Sequence, residues 1–214
     1  MFEDATGRDL TQFARWYTDA GTPEVTLVEA WDEDEAGGTL TLSLSQTTKP
    51  TPGQPDKPPR VIPVAVGLIG RNGGEQRPTE LLELTGPTQG WRFEGLGSRP
   101  VVSALRGFSA PVVLRHDLDE AGRATLLAHD TDPFARWEAG RGLAIDALIA
   151  RVGGDTDAGA AYVRAIGSFL DGAALPEEMV EQAHALGLHA HPMGGIEVAD
   201  LQAEFDLPER FLPV

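Results

Sequence analysis

The sequence predicts a mainly β protein: an antiparallel β-sandwich followed by a small, incomplete α-helical region. Three observations carry this reading. Leu40, Leu42 and Leu44 alternate with Thr39, Thr41, Ser43 and Ser45, the period that suits a strand with one buried face. From residue 22 to residue 129, short apolar runs are separated repeatedly by Gly and Pro, the texture of two packed antiparallel sheets or a barrel. At Asp130 that texture changes: Asp132 suits a helix cap, Pro133 the first helical position, and apolar residues then recur at helical spacing.

Taken in order, Leu10, Phe13, Trp16 and Tyr17 give one apolar face to a predicted helix from Asp9 to Tyr17, with Thr6 or Gly7 as its cap. Asp19-Ala20-Gly21 ends it. A helix this short needs a surface to lie against. Val25, Leu27 and Ala30 or Trp31 mark the first strand, and the acidic loop Asp32 to Gly38 turns it into the Leu40–Leu44 strand. Residues 49–60, KPTPGQPDKPPR, contain five prolines and read as an extended surface connection. Val61 to Ile69 is the next strand, followed by the turn Arg71-Asn72-Gly73-Gly74. Residues 78–84, 90–93, 100–105, 111–116 and 123–129 complete the predicted strands. A helix then starts at Asp132 with Phe134, Trp137, Leu143 or Ala144, Leu148 and Val152 on one face, and Gly153-Gly154 stops it. A second helix is predicted from Asp157 to Leu170. A third starts near Pro176, carries Glu177 and Glu178 in its first turn, and ends at Gly187. Three short helices leave an apolar side open unless more of that domain follows.

The chain has 33 acidic and 17 basic residues and a net charge of -16. A field of that sign repels phosphate backbones and anionic lipid, so neither nucleic acid nor membrane is an expected partner. No apolar run approaches the roughly 20 residues of a membrane span. There is no cysteine, so disulfides, thiolate metal sites and cysteine catalysis are excluded. The acidic N-terminal stretch is unlike a signal peptide, and the expected location is cytoplasmic.

Hydrolytic zinc on a helix requires two histidines four residues apart with a glutamate beside the first. His116, His129, His184, His189 and His191 offer no such pair. The run Asp32 to Glu35 lacks the ligand spacing and central glycine of a calcium loop and reads as a solvated hairpin. Glu177 and Glu178 suit a helix start better than a paired-carboxylate site. Ser109 has no nucleophile elbow around it, and no phosphate-binding glycine motif follows a predicted strand. The residues alone therefore define no catalytic and no metal-binding set.

Phe2 to Leu27, FEDATGRDLTQFARWYTDAGTPEVTL, closely resembles a stretch of the bacterial alanyl aminopeptidases of the M1 zinc metallopeptidase family. Leu42 to Pro52 (LSLSQTTKPTP), Arg60 to Leu68 (RVIPVAVGL), Phe108 to Leu114 (FSAPVVL) and Asp130 to Arg141 (DTDPFARWEAGR) resemble later stretches of that family in the same order. The resemblance spans roughly residues 2–170. It implies that residues 1–21 are the terminal helix of an absent catalytic domain, 22–129 a β-sandwich domain, and 130–173 the start of a helical domain. Residues 174–214 form an unassigned tail. The family's zinc ligands (HExxH and a distant glutamate) and its GxMEN motif lie upstream of the matched region, and none occurs here. The implied role is a non-catalytic scaffold between domains, with no cofactor of its own and zinc only in the full-length parent. Its implied partners are the missing catalytic and helical domains, and Leu10, Phe13, Trp16 and Tyr17 are the candidate interdomain contacts.

Glu181 to Val214 resembles instead the C-terminal region of FMN-dependent nitroreductases, which implies a flavin contact at Met193, Gly194 and Gly195. Two further functions therefore stand beside the scaffold: a stand-alone protein-binding sandwich and an FMN-binding oxidoreductase fusion.

Overall fold

The computed structural model describes residues 2–34, 37–155 and 158–172. Its centre is the alternating leucine strand. Strand β1 (Glu24–Asp34) and strand β2 (Gly37–Thr47) pair antiparallel, with Leu27 opposite Leu44 and Trp31 opposite Leu40. Leu40, Leu42 and Leu44 are fully buried, so the period-two pattern does mark an inward face.

Two sheets are built around this hairpin. After β3 (Ile62–Ile69) and β4 (Glu75–Leu84) come β5 (Thr88–Leu96), β6 (Val101–Ala104) and β7 (Val113–His116). The larger sheet has the order β5-β2-β1-β7 and the smaller β4-β3-β6. Pairing is antiparallel except between β1 and β7, which run parallel. Leucines of β2 face Ile62, Val64, Val66 and Leu68 of β3 across the sandwich, and Leu82, Leu84 and Val102 close the same core. β3 is buried along nearly its whole length, because the second sheet covers one face and a helix packs on it from outside. Burial on both faces explains why Val61 to Ile69 reads as a continuous apolar run and not as an alternation.

That covering helix corrects one expectation. Residues 123–129 form no strand; they lie in α3 (Glu120–His129), the third helix of the chain. Asp119 caps it, accepting a bond from the Gly122 amide at 2.6 Å. Alanine, arginine and leucine dominate the segment and favour the helix. No alternation opposes it, since the adjacent residues Leu126 and Leu127 are both buried.

The N-terminal helix differs too. Helix α1 (Phe2–Thr6) and the single turn α2 (Arg15–Thr18) replace one helix from Asp9 to Tyr17. Gly7 has a φ of 65° and ends α1. The Asp9 carboxylate accepts from the Thr11 amide at 2.8 Å, a local bond that competes with helix. That bonding to Thr11 also holds the Asp9 pKa below its ordinary value.

Helix α4 (Pro133–Val152) begins and ends as expected, with Asp132 capping it through the Ala135 amide at 2.8 Å and Gly153 at its end. Its buried face is Ala135, Ala139, Gly140 and Leu143. Of the predicted face, Leu143 is inside, while Trp137, Leu148 and Val152 are exposed. Small residues permit the close approach: Gly140 lies against Leu127 of α3. Arg136 of α4 donates to the carbonyls of Leu127 and Ala128, filling acceptors at the end of α3. Burial lowers the pKa of that guanidinium, partly offset by Asp130.

The described residues up to Tyr162 form one compact unit, and Val163 opens a second. Helix α5 (Ala160–Gly172) is the last described element. The predicted third helix at 176–187 and the glycine pair at 194–195 lie outside the described residues.

Candidate functional site

The N-terminal segment is tied to the sandwich by side chains. Trp16 packs on the core, and its indole N–H donates to the Val61 carbonyl at 2.7 Å. The Arg60 guanidinium stands 5.0 Å over the Trp16 ring. Arg60 is buried and donates to the carbonyls of Asp19 and Ala20. Its own main chain is gripped by Gln46, which accepts from the Arg60 amide and donates to the Arg60 carbonyl, each at 2.9 Å. Lys57 donates to Ala20 O, and Gln54 bonds Ala20 N and Thr18 O. These bonds satisfy main-chain groups at the end of a one-turn helix that lacks partners of its own.

Of the candidate contact residues, Trp16 is therefore committed to this chain's own sandwich. Leu10 is half-buried. Phe13 and Tyr17 project outward, their rings edge-to-face at 6.3 Å, with Tyr17 82% exposed. Sequence reasoning named Trp16 but missed Gln46 and Arg60. A signal for Gln46 was present: it shares the parity of Leu40, Leu42 and Leu44, placing an amide on an apolar face that needed a reason.

A concavity of about 560 Å³ lies between β7, α3 and α4. Its wall combines Leu105, Phe108, Leu114, Leu126 and Phe134 with charged residues at the rim. Those charges are paired: Arg115 with Glu24, Arg123 with Asp146, Arg141 with Glu138. His116 Nε2 lies 2.7 Å from Glu29, and the lining includes no serine, threonine, cysteine, tyrosine or lysine. The arrangement orders side chains but aligns no nucleophile with a base. Ser109 is used structurally, accepting from the Ala65 amide at 2.9 Å. No group of three or more His, Asp or Glu that could hold a metal occurs among the described residues. Zinc of the kind the M1 resemblance implies does not fit these residues. Among the described residues no helix is long and apolar enough to cross a membrane.

An Ig-like sandwich followed by helices is the class this geometry defines, and comparison with known proteins agrees. Residues 21–117 match the domain of unknown function DUF3458, described as having an Ig-like fold, and 120–210 match DUF3458_C, described as ARM repeats. Aminopeptidase N of Caulobacter vibrioides is 47% identical over 156 residues, covering 73% of this chain and 18% of the relative. Aminopeptidase N of Haemophilus influenzae is 37% identical over 144 residues, 64% of this chain and 16% of the relative. The crystal structure of Legionella pneumophila aminopeptidase A in complex with aspartic acid aligns with a TM-score of 0.67 and 26% identity, over 83% of this chain and 20% of that one. The chain is similar to part of the bacterial aminopeptidases N, over a stretch that takes in an Ig-like domain and the ARM-repeat domain after it. It spans under a fifth of the length of these curated relatives and covers a non-catalytic part of them. The ARM-repeat match runs to residue 210 and so takes in most of the stretch 181–214. The resemblance of that stretch to nitroreductases finds no support, and Met193, Gly194 and Gly195 lie outside the described residues.

Proposed function

We propose that this chain is an interdomain scaffold of a zinc-dependent aminopeptidase, a bridge between catalytic and helical domains with no hydrolytic chemistry of its own. The parent would remove N-terminal residues from peptides and would hold the zinc in its catalytic part. The observation that carries the proposal is the two-sided N-terminal segment. Its inner side is fixed by Trp16 to the sandwich, while Phe13 and Tyr17 present an exposed aromatic pair on the outer side. An aromatic pair held on a well-anchored turn suits a docking contact, because little side-chain freedom remains to be lost. The proposal includes a cytoplasmic location, supported by the acidic charge that favours solubility.

The test is complementation. The catalytic portion of a bacterial aminopeptidase N, expressed separately, is mixed with this chain, and hydrolysis of an alanine amide is followed. A gain that saturates with added chain supports the scaffold. If both pieces are folded and no gain occurs, the scaffold reading fails and a stand-alone binding sandwich takes its place.

A further inference from the structure

The family boundary falls between residues 117 and 120, yet the compact unit runs through to Tyr162. A buried ion cluster crosses that boundary. Arg106 sits after β6 in a one-turn 3-10 helix, Arg106–Phe108. Its guanidinium donates to Ser103 Oγ at 3.0 Å, Glu75 Oε1 at 2.8 Å and Thr79 Oγ1 at 2.9 Å, all in the smaller sheet. The remaining nitrogen, Nη2, donates to Asp130 Oδ1 at 2.9 Å, in the corner between α3 and α4. The side chains of Arg106 and Asp130 are 3% and 0% exposed.

Both sides are shaped for this contact. A Cβ on Gly67 of β3 would overlap the guanidinium, so the strand has a gap where the arginine enters. Leu105, Gly107 and Phe108 all have positive φ, 58°, 61° and 54°, which turns the arginine back into the sheet. Two of these are non-glycine residues, a conformation that surrounding contacts must hold. From the helical side, Asp132 accepts from Gly107 N at 2.9 Å while capping α4, and Thr131 donates to Glu75 at 3.2 Å. The rings of Phe108 and Phe134 meet beside the same joint, 5.3 Å apart and tilted by 54°.

We infer that Arg106 and Asp130 make the sandwich and the α3–α4 hairpin one cooperative unit across the boundary between the two sequence families. A buried charge that loses its partner is strongly unfavourable, so neither element opens without breaking the pair or exposing it to water. The inference does not depend on the scaffold proposal; it concerns how the chain unfolds, whatever it binds.

Hydrogen exchange read by mass spectrometry over a urea series tests it on the full chain. In the wild type, the slowest amides of β3 and α4 should converge on one urea dependence. In Arg106→Met and in Asp130→Asn, α4 amides should exchange at least about 10-fold faster while β3 amides change less. Asp130→Asn leaves the Arg106 bonds to Ser103, Glu75 and Thr79 of the smaller sheet in place, so it remains readable if Arg106→Met fails to fold. Separate urea dependences in the wild type, or equal acceleration of β3 and α4 in Asp130→Asn, would overturn the inference.

Discussion

Single residues decide how the polar interior is satisfied. Gly67 makes room for Arg106, so Gly67→Ala forces the guanidinium aside and leaves Glu75 and Asp130 under-partnered. A loss of about 3 kcal/mol or more is expected, read as a lower urea midpoint. Gln46 serves the Arg60 amide and carbonyl and the Gly86 carbonyl at once. Gln46→Met keeps the volume and removes those bonds, and should cost roughly 2–3 kcal/mol because buried main-chain groups are left unpaired. Surface charges behave differently. Bonding to Arg8 holds the Glu83 pKa below its ordinary 4.5. A depressed carboxylate stabilises the fold above its unfolded pKa and loses that contribution as pH falls through the folded value. Both partners face solvent, so the acid limbs of wild type and Glu83→Gln, measured as urea midpoint against pH, should run nearly parallel.

At the scale of elements, β2 and α3 make contrasting demands. β2 is central in its sheet, with three fully buried leucines. Leu42→Ala should remove about 3 kcal/mol, as large-to-small core changes do. α3 instead depends on its first turn. Asp119→Ala removes the bond to Gly122 and should lower stability by about 1 kcal/mol, with a matching loss of midpoint in circular dichroism. Sequence alternation marks β2 because one face meets the core and the other does not. It misassigns residues 123–129 because a short apolar stretch is read by what flanks it, and the capping Asp119 lies four residues before that stretch begins.

For the whole molecule, the N-terminal segment is where stability and docking separate. Trp16→Ala should destabilise by about 3 kcal/mol, since its ring fills the sandwich edge and its N–H serves Val61. Phe13→Ser combined with Tyr17→Ser should cost about 1–2 kcal/mol, nearly all of it from Phe13, which is 37% exposed where Tyr17 is 82% exposed, and should leave the chain folded. In the complementation assay the same double variant should need at least about tenfold more chain for half the gain. Equal complementation by wild type and double variant would remove Phe13 and Tyr17 from the proposed contact.

The sequence by itself determined the sandwich and the start, capping and end of α4, because each rests on local chemistry: alternation, turn residues, a cap followed by proline. Sequence resemblance also pointed to the aminopeptidase family. Only the tertiary structure decided that Trp16 turns inward while Tyr17 turns out, that residues 123–129 cover β3 as a helix, and that Arg106 reaches Asp130. The pairs involved lie on different elements. Their energies depend on burial and on approach through space, and neither is written in the spacing of residues along the chain.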